Sequence, residues 1–253
     1  ESASGLATMV GIAALANPRR AADSPKSIIL DVEIYIGADH CQSLIGALRF
    51  FNKDDMDFTE EPSLYLIYTT FACLEDGIDV QPVLNTWKYK FFGDLQWVIP
   101  LAPPVDDSDD GSEPASFVID PRHRVYIHVS GKATDCQKDA GTFNLDVEQY
   151  IFVLKDAKNH ATKSESIKPF TPISCIFPDS PRFRNRKPVP YDNHFVSISG
   201  FLTDVVFTPK NGLPAVEDTG SIDHFTVTVE HIAFLGQVNS KSNSSSIIPN
   251  TLD

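Results

Sequence analysis

"RVYIHVSGKATD" (124–135) and "HFVSISGFLTD" (194–204) read nearly alike although 69 residues separate them. In the first, Val125, Ile127 and Val129 alternate with Tyr126, His128 and Ser130; in the second, Val196 and Ile198 alternate with Phe195, Ser197 and Ser199. Period-two patterning is that of a strand with one face in a core. Each stretch then meets a glycine, Gly131 or Gly200, which within a strand marks a bulge, a bend or a close backbone approach. A second strand follows each, "FNLDVEQYIFVL" (143–154) and "FTVTVEHIAFLG" (225–236). Both begin in alternation and end in an apolar run, so the later half of each is expected to be covered on both faces. Duplicated hairpins that bend at glycine suit a small closed barrel.

The rest of the chain agrees with an all-β reading. "SIILDVEIYIGADH" (27–40), "SLYLIYTTFACLE" (63–75) and "TWKYKFFGDLQWVIPL" (86–101) are rich in β-branched and aromatic residues and bounded by turn formers. Eighteen prolines and thirteen glycines suit many short strands joined by loops. The boundaries expected are a flexible tail at 1–25, a β-rich unit at 26–155 interrupted by an acidic loop at 102–116, a second β unit at 165–238 that could belong to the same sheet system, and a low-complexity tail at 239–253. The run "GLATMVGIAALA" (5–16) is too short to span a bilayer as a helix and lacks the positive charge of a signal peptide, so no membrane association is expected.

These strand pairs, "FVSISGFLTDV" followed by "HFTVTVEHIAFLG", resemble the glycine-bent and closing strands of OB-fold barrels of the single-stranded DNA-binding and replication-protein-A type. They are similar also to uncharacterised fungal proteins carrying the same pair. The resemblance covers about a third of the chain and implies a ligand, whether oligonucleotide, oligosaccharide or protein, on one barrel face.

Charge narrows the function. The net charge is −13, with five acids in the run 106–113 (Asp106, Asp107, Asp109, Asp110, Glu113). Such a chain is a poor non-specific polyanion binder and favours protein partners or association with its own copies. A local basic groove is compatible with that balance. "PRFRNRKPVPYDNHF" (181–195) concentrates Arg182, Arg184, Arg186 and Lys187 beside Tyr191 and Phe195, the mixture of cations and rings a single-strand groove uses. Arg122, Arg124 and Lys132 extend the strip, with Tyr126 and Phe195 as outward stacking platforms. The alternative is a solvated loop whose arginines pair with acids such as Asp179 and Asp192.

Catalytic and metal chemistry find no support. The seven histidines lack metal-ligand spacing, and His123 and His128 fall on opposite faces of one strand. The acidic run mimics a calcium loop, but Phe117 stands where a bidentate Glu is needed. There is no G-x-S-x-G, no glycine-rich phosphate loop, and Glu148 and Glu230 fall at matching repeat positions through inheritance. The four cysteines are widely spaced and read as reduced thiols of an intracellular protein. The expectation is a non-enzymatic module without cofactor or metal, binding a protein partner or itself; the alternative is single-stranded nucleic acid.

Overall fold

The computed structural model describes residues 5–21, 24–36, 42–74, 78–79, 89–101, 119–154, 158–159, 169–208 and 220–237. The acidic loop and the C-terminal tail expected at 239–253 lie outside them. The described strands are β1 (Leu6–Arg20), β2 (Ser27–Ile36), β3 (Gln42–Phe51), β4 (Ser63–Thr70), β5 (Ile78–Asp79), β6 (Phe91–Pro100), β7 (Tyr126–Gln137), β8 (Thr142–Glu148), β9 (Lys158–Asn159), β10 (Phe170–Ile176), β11 (His194–Thr208) and β12 (Ser221–Gln237). Apart from a single 3-10 turn at Phe152–Leu154, the regular structure of the described residues is all β. Among the described residues no helix is long and apolar enough to cross a membrane.

Two rings close. β1, β2, β3, β6 and β4 pair in that order, and β4 returns to β1; β7, β8, β10, β12 and β11 do the same, with β11 returning to β7. Within each ring one pair is parallel, β3 with β6 and β10 with β12, and the other pairs are antiparallel. Two five-stranded Greek-key barrels of OB type therefore stand in tandem. The first halves of β1 and β7 join them, Leu6 to Val10 pairing antiparallel with Ser130 to Tyr126.

Alternation places the core. Met9, Leu30, Val32, Ile34, Leu48, Ile67 and Phe91 point into the first barrel, and Ile127, Val129, Phe143, Leu145, Ile198 and Phe225 into the second, all essentially inaccessible to solvent. Val129 and Ile198 are buried as their pattern requires.

Three sequence expectations are corrected here. Residues 1–25 are not simply a tail: Leu6–Arg20 is a central strand, with Ala7, Met9, Ala13 and Leu15 buried. The second barrel begins at Tyr126, so the division expected at 155–165 cuts through it. The expected ends of the second strands also differ: Phe234 and Leu235 are exposed, whereas Ile151, Val153 and Leu154 are buried as expected but leave the sheet, Phe152–Leu154 forming a 3-10 turn.

Candidate functional site

The connection from β10 to β11 crosses one mouth of the second barrel. Phe177, Phe183 and Val189 plug it, with the two rings 5.0 Å apart. Burying those three side chains turns the charged residues between them outward, and Arg182, Arg184 and Arg186 are exposed. The segment is tied down at its far end, where the Asn193 amide donates to Ala133 O (2.9 Å) and the Cys136 amide donates to Asp192 Oδ1 (3.0 Å).

This plug walls a half-open cleft of about 950 Å³. Lys138, Arg186 and Lys187 line it together with Tyr191, His194 and Phe234. Lys138 comes from the turn between β7 and β8, the barrel's first hairpin loop, which in OB barrels is a ligand-contacting element. Its Nζ stands 3.7 Å from the Tyr191 ring centroid, and the Tyr191 and His194 rings are 5.5 Å apart. Lys187 Nζ contacts Asp179 Oδ1 at 2.8 Å, and that contact holds the Asp179 carboxyl below the usual carboxylate range. Three cations, one of them paired with Asp179, beside the exposed Tyr191 and Phe234 rings form a surface for phosphates and flat apolar groups. Among the described residues no cluster of His, Cys, Asp and Glu could hold a metal ion.

The structure distributes the expected site residues over separate surfaces. Arg186, Lys187 and Tyr191 meet in the cleft. Arg182 turns toward β12, its guanidinium nitrogen 3.2 Å from His231 Nδ1, and Arg184 points to solvent. Arg122 grips Asp120 through two 2.9 Å hydrogen bonds and holds that carboxyl down to about 2. Arg124 is exposed just ahead of β7. Tyr126 and Phe195 face outward from β7 and β11, Phe195 opposite Lys132. The Tyr126 hydroxyl donates to Ser199 Oγ (3.0 Å), and its ring meets Phe201 edge-on at 5.1 Å. Lys138, His194 and Phe234 complete the cleft without having been singled out. The usable signal was Lys138 in a short turn between two alternating strands.

Tyr126 belongs to a second surface, the outer face shared by β4, β1, β7 and β11. Directly opposed residues run across it as Trp97, Tyr68, Val10, Tyr126, Phe201 and Thr228. Flanking them are Leu66 and Ile99 on one side and Thr8, His128 and Ser199 on the other. No outward residue of this face between Leu6 and Ala14, Leu64 and Thr70, Tyr126 and Ser130, or Ser197 and Thr203 is Asp, Glu, Lys or Arg. Leu6, Trp97, Ile99 and Phe201 stay 38–52% exposed.

Charge is unevenly divided between the two halves of the sequence. Residues 1–118 hold 19 acids against 7 lysines and arginines, whereas residues 119–253 hold 15 against 14. The acidity that argued against a polyanion ligand therefore lies almost wholly in the first half.

No protein-family model matches this sequence, and no curated protein matches it. Among solved structures, the wild-type single-stranded DNA-binding protein from Thermus aquaticus aligns with a TM-score of 0.41 and 12% identity, over 96% of this chain and 100% of that one. A deletion mutant of the same protein gives 0.41 and 11%, over 94% and 98%.

Proposed function

We propose that this chain is a binding module that takes a single-stranded nucleic acid segment at its second barrel. The observation that carries the reading is the cleft, where Lys138, Arg186 and Lys187 surround the Tyr191 and Phe234 rings beside the barrel's first hairpin loop. Cations follow a phosphate backbone, and rings accept any base because every base has a π face. The near-neutral balance of the second half removes the electrostatic objection that the whole-chain charge raised. No catalytic constellation enters the reading.

Titration of a labelled single-stranded oligonucleotide at low salt tests it. The wild type should bind at micromolar protein or better, with affinity falling as salt rises. Changing Lys138 and Arg186 together to Glu should weaken binding at least about tenfold. Absence of binding at micromolar protein, or binding indifferent to that double change, overturns the reading.

A second reading, association with another protein or with a second copy, is favoured by the uncharged face around Tyr126. Two copies of a chain of charge −13 repel, and an apolar face free of charges is where they approach at least electrostatic cost. Sedimentation of the wild type and of Tyr126→Glu tests it. A dimer that the substitution converts to monomer supports self-association, and a monomeric wild type removes it.

A further inference from the structure

In an OB barrel the outer face of the second and third strands carries ligand. In the first barrel this face is built from Ile29 and Asp31 on β2 with Ile45, Ala47 and Arg49 on β3, and Asp94 of β6 lies beside Arg49. It is already occupied. The chain leaving β8 crosses it, burying Ile151, Val153 and Leu154 against Ile29, Ala47, Tyr89 and Phe92. Arg49 stacks over the Phe152 ring with its guanidinium carbon 3.8 Å from the centroid. The Phe152 amide donates to Asp94 Oδ2 at 2.6 Å, and the Val153 amide also donates to that carboxylate. Leu154 N to Ile151 O (3.1 Å) closes the turn.

These contacts resemble those of a ligand more than those of ordinary core. A guanidinium sits over an aromatic ring, and backbone amides point at a carboxylate. The fit is also imperfect, since Asp94 Oδ1 is buried with no hydrogen-bond partner among the described residues. Burial of this carboxylate raises its proton affinity against the lowering effect of both amides and of Arg49. At the upstream end of the segment Tyr150 is 67% exposed, so the covering element is narrow.

We infer that residues 150–154 are a strap built into the chain, which occupies the ligand face of the first barrel and leaves the second barrel as the single ligand-binding unit. The count of binding sites that follows rests on the nucleic-acid reading; the strap itself does not.

Amide hydrogen exchange on the full chain, wild type beside the Arg49→Ala/Asp94→Asn double variant, tests the strap. Phe152 and Val153 should be protected in the wild type and exchange at least about tenfold faster in the variant. Amides of Val32 and Leu48 in the first barrel, and of Val129 and Ile198 in the second, should keep their protection. Unprotected Phe152 and Val153 in the wild type overturn the inference. So does a loss that spreads through Val32 and Leu48, because it makes the segment part of the barrel's core. In a second arm, an oligothymidylate of about ten nucleotides, within the site size of one OB barrel, is titrated against the wild type to stoichiometric saturation. One site per chain is expected, and two sites overturn the inference. If no oligonucleotide binds, the nucleic-acid reading falls and the exchange experiment alone decides the strap.

Discussion

Lys138 stands over the ring of Tyr191, 3.7 Å from Nζ to centroid, although one comes from the β7–β8 turn and the other from the long connection before β11. The pairing holds the ring at the cleft wall and places a positive charge beside its face. Tyr191→Ala removes the stacking surface and should weaken oligonucleotide binding by about 1–3 kcal/mol with little change in salt dependence. Lys138→Gln keeps the ring but removes one phosphate partner, so the slope of log affinity against log salt should shrink by about one. Fluorescence anisotropy across a salt series separates the two. Identical salt slopes for both variants would place the lysine away from the phosphates.

Gly131 and Gly200 read alike in the sequence, yet substitution should separate them sharply. A Cβ on Gly200 would fall 2.0 Å from Thr228 O and 2.9 Å from Thr228 C, and both are backbone atoms. The β11–β12 register also shifts between Ser199 and Gly200. Gly200→Ala therefore has to move a strand, and it should cost about 3 kcal/mol or more. On Gly131 the nearest atom is Val147 Cγ2 at 3.1 Å, the end of a side chain that can give way. Gly131→Ala should cost less than about 1.5 kcal/mol. Urea midpoints with unchanged m-values would measure both.

The same pair shows how much of the fold was legible. The alternation around Gly131 and Gly200 placed Val129 and Ile198 in a core correctly and pointed to a small closed barrel, the OB type coming from the family resemblance. Its likeness came from a different cause than duplication of hairpins: the two stretches are β7 and β11, ladder neighbours with Ser130 opposite Ser197 in one barrel wall. The tandem relation instead matches β1 with β7, and β1 was hidden because alanine and glycine have low strand propensity. The glycine just ahead of it is set by packing, since a Cβ on Gly5 would lie 2.6 Å from Ser130 O, where the two barrels touch. The cleft was half legible for a similar reason. Arg186, Lys187 and Tyr191 share one connection and showed in its composition, while Lys138 and Phe234 reach the site only through the barrel's closure.

Gln149 clasps the two barrels together. Its side-chain amide donates to Ala7 O (3.2 Å) and to Phe71 O, while its Oε1 accepts from the Ala7 amide (2.8 Å). Thr171 Oγ1 also donates to Phe71 O, so that carbonyl keeps a partner when Gln149 is removed. Ala7 O likewise keeps the Phe71 amide as a donor (3.2 Å), so the group that depends on Gln149 is the buried Ala7 amide. Gln149→Leu conserves bulk but strands the buried Ala7 amide, and it should destabilise by about 2–3 kcal/mol. Calorimetry should show Tm lowered by roughly 4–12 °C. A fall of less than about 1 °C would mean that water replaces the clasp.

Cys136 is half-buried and still should be a slow nucleophile. Burial is the first cause of a thiol pushed up to about 12; a hydrogen bond to Asp192 and the charges of Asp192 and Asp135 add to it, with Lys138 opposing. Only the thiolate reacts, so at pH 8 alkylation by iodoacetamide should run on the order of a thousandfold slower than for a free cysteine. Raising the pH favours deprotonation, and the rate should climb about tenfold per unit through pH 10 without levelling. Asp192→Asn removes the neighbouring negative charge, which lowers the thiol's proton affinity and speeds the reaction. The asparagine carbonyl can still accept from the Cys136 amide, where Asp192 Oδ1 now accepts at 3.0 Å, so the turn should hold its shape. Mass spectrometry of the peptide containing Cys136 follows the reaction apart from the other thiols. A rate that levels off near pH 9 would show that the thiol titrates as an ordinary exposed cysteine and that Asp192 does not face it.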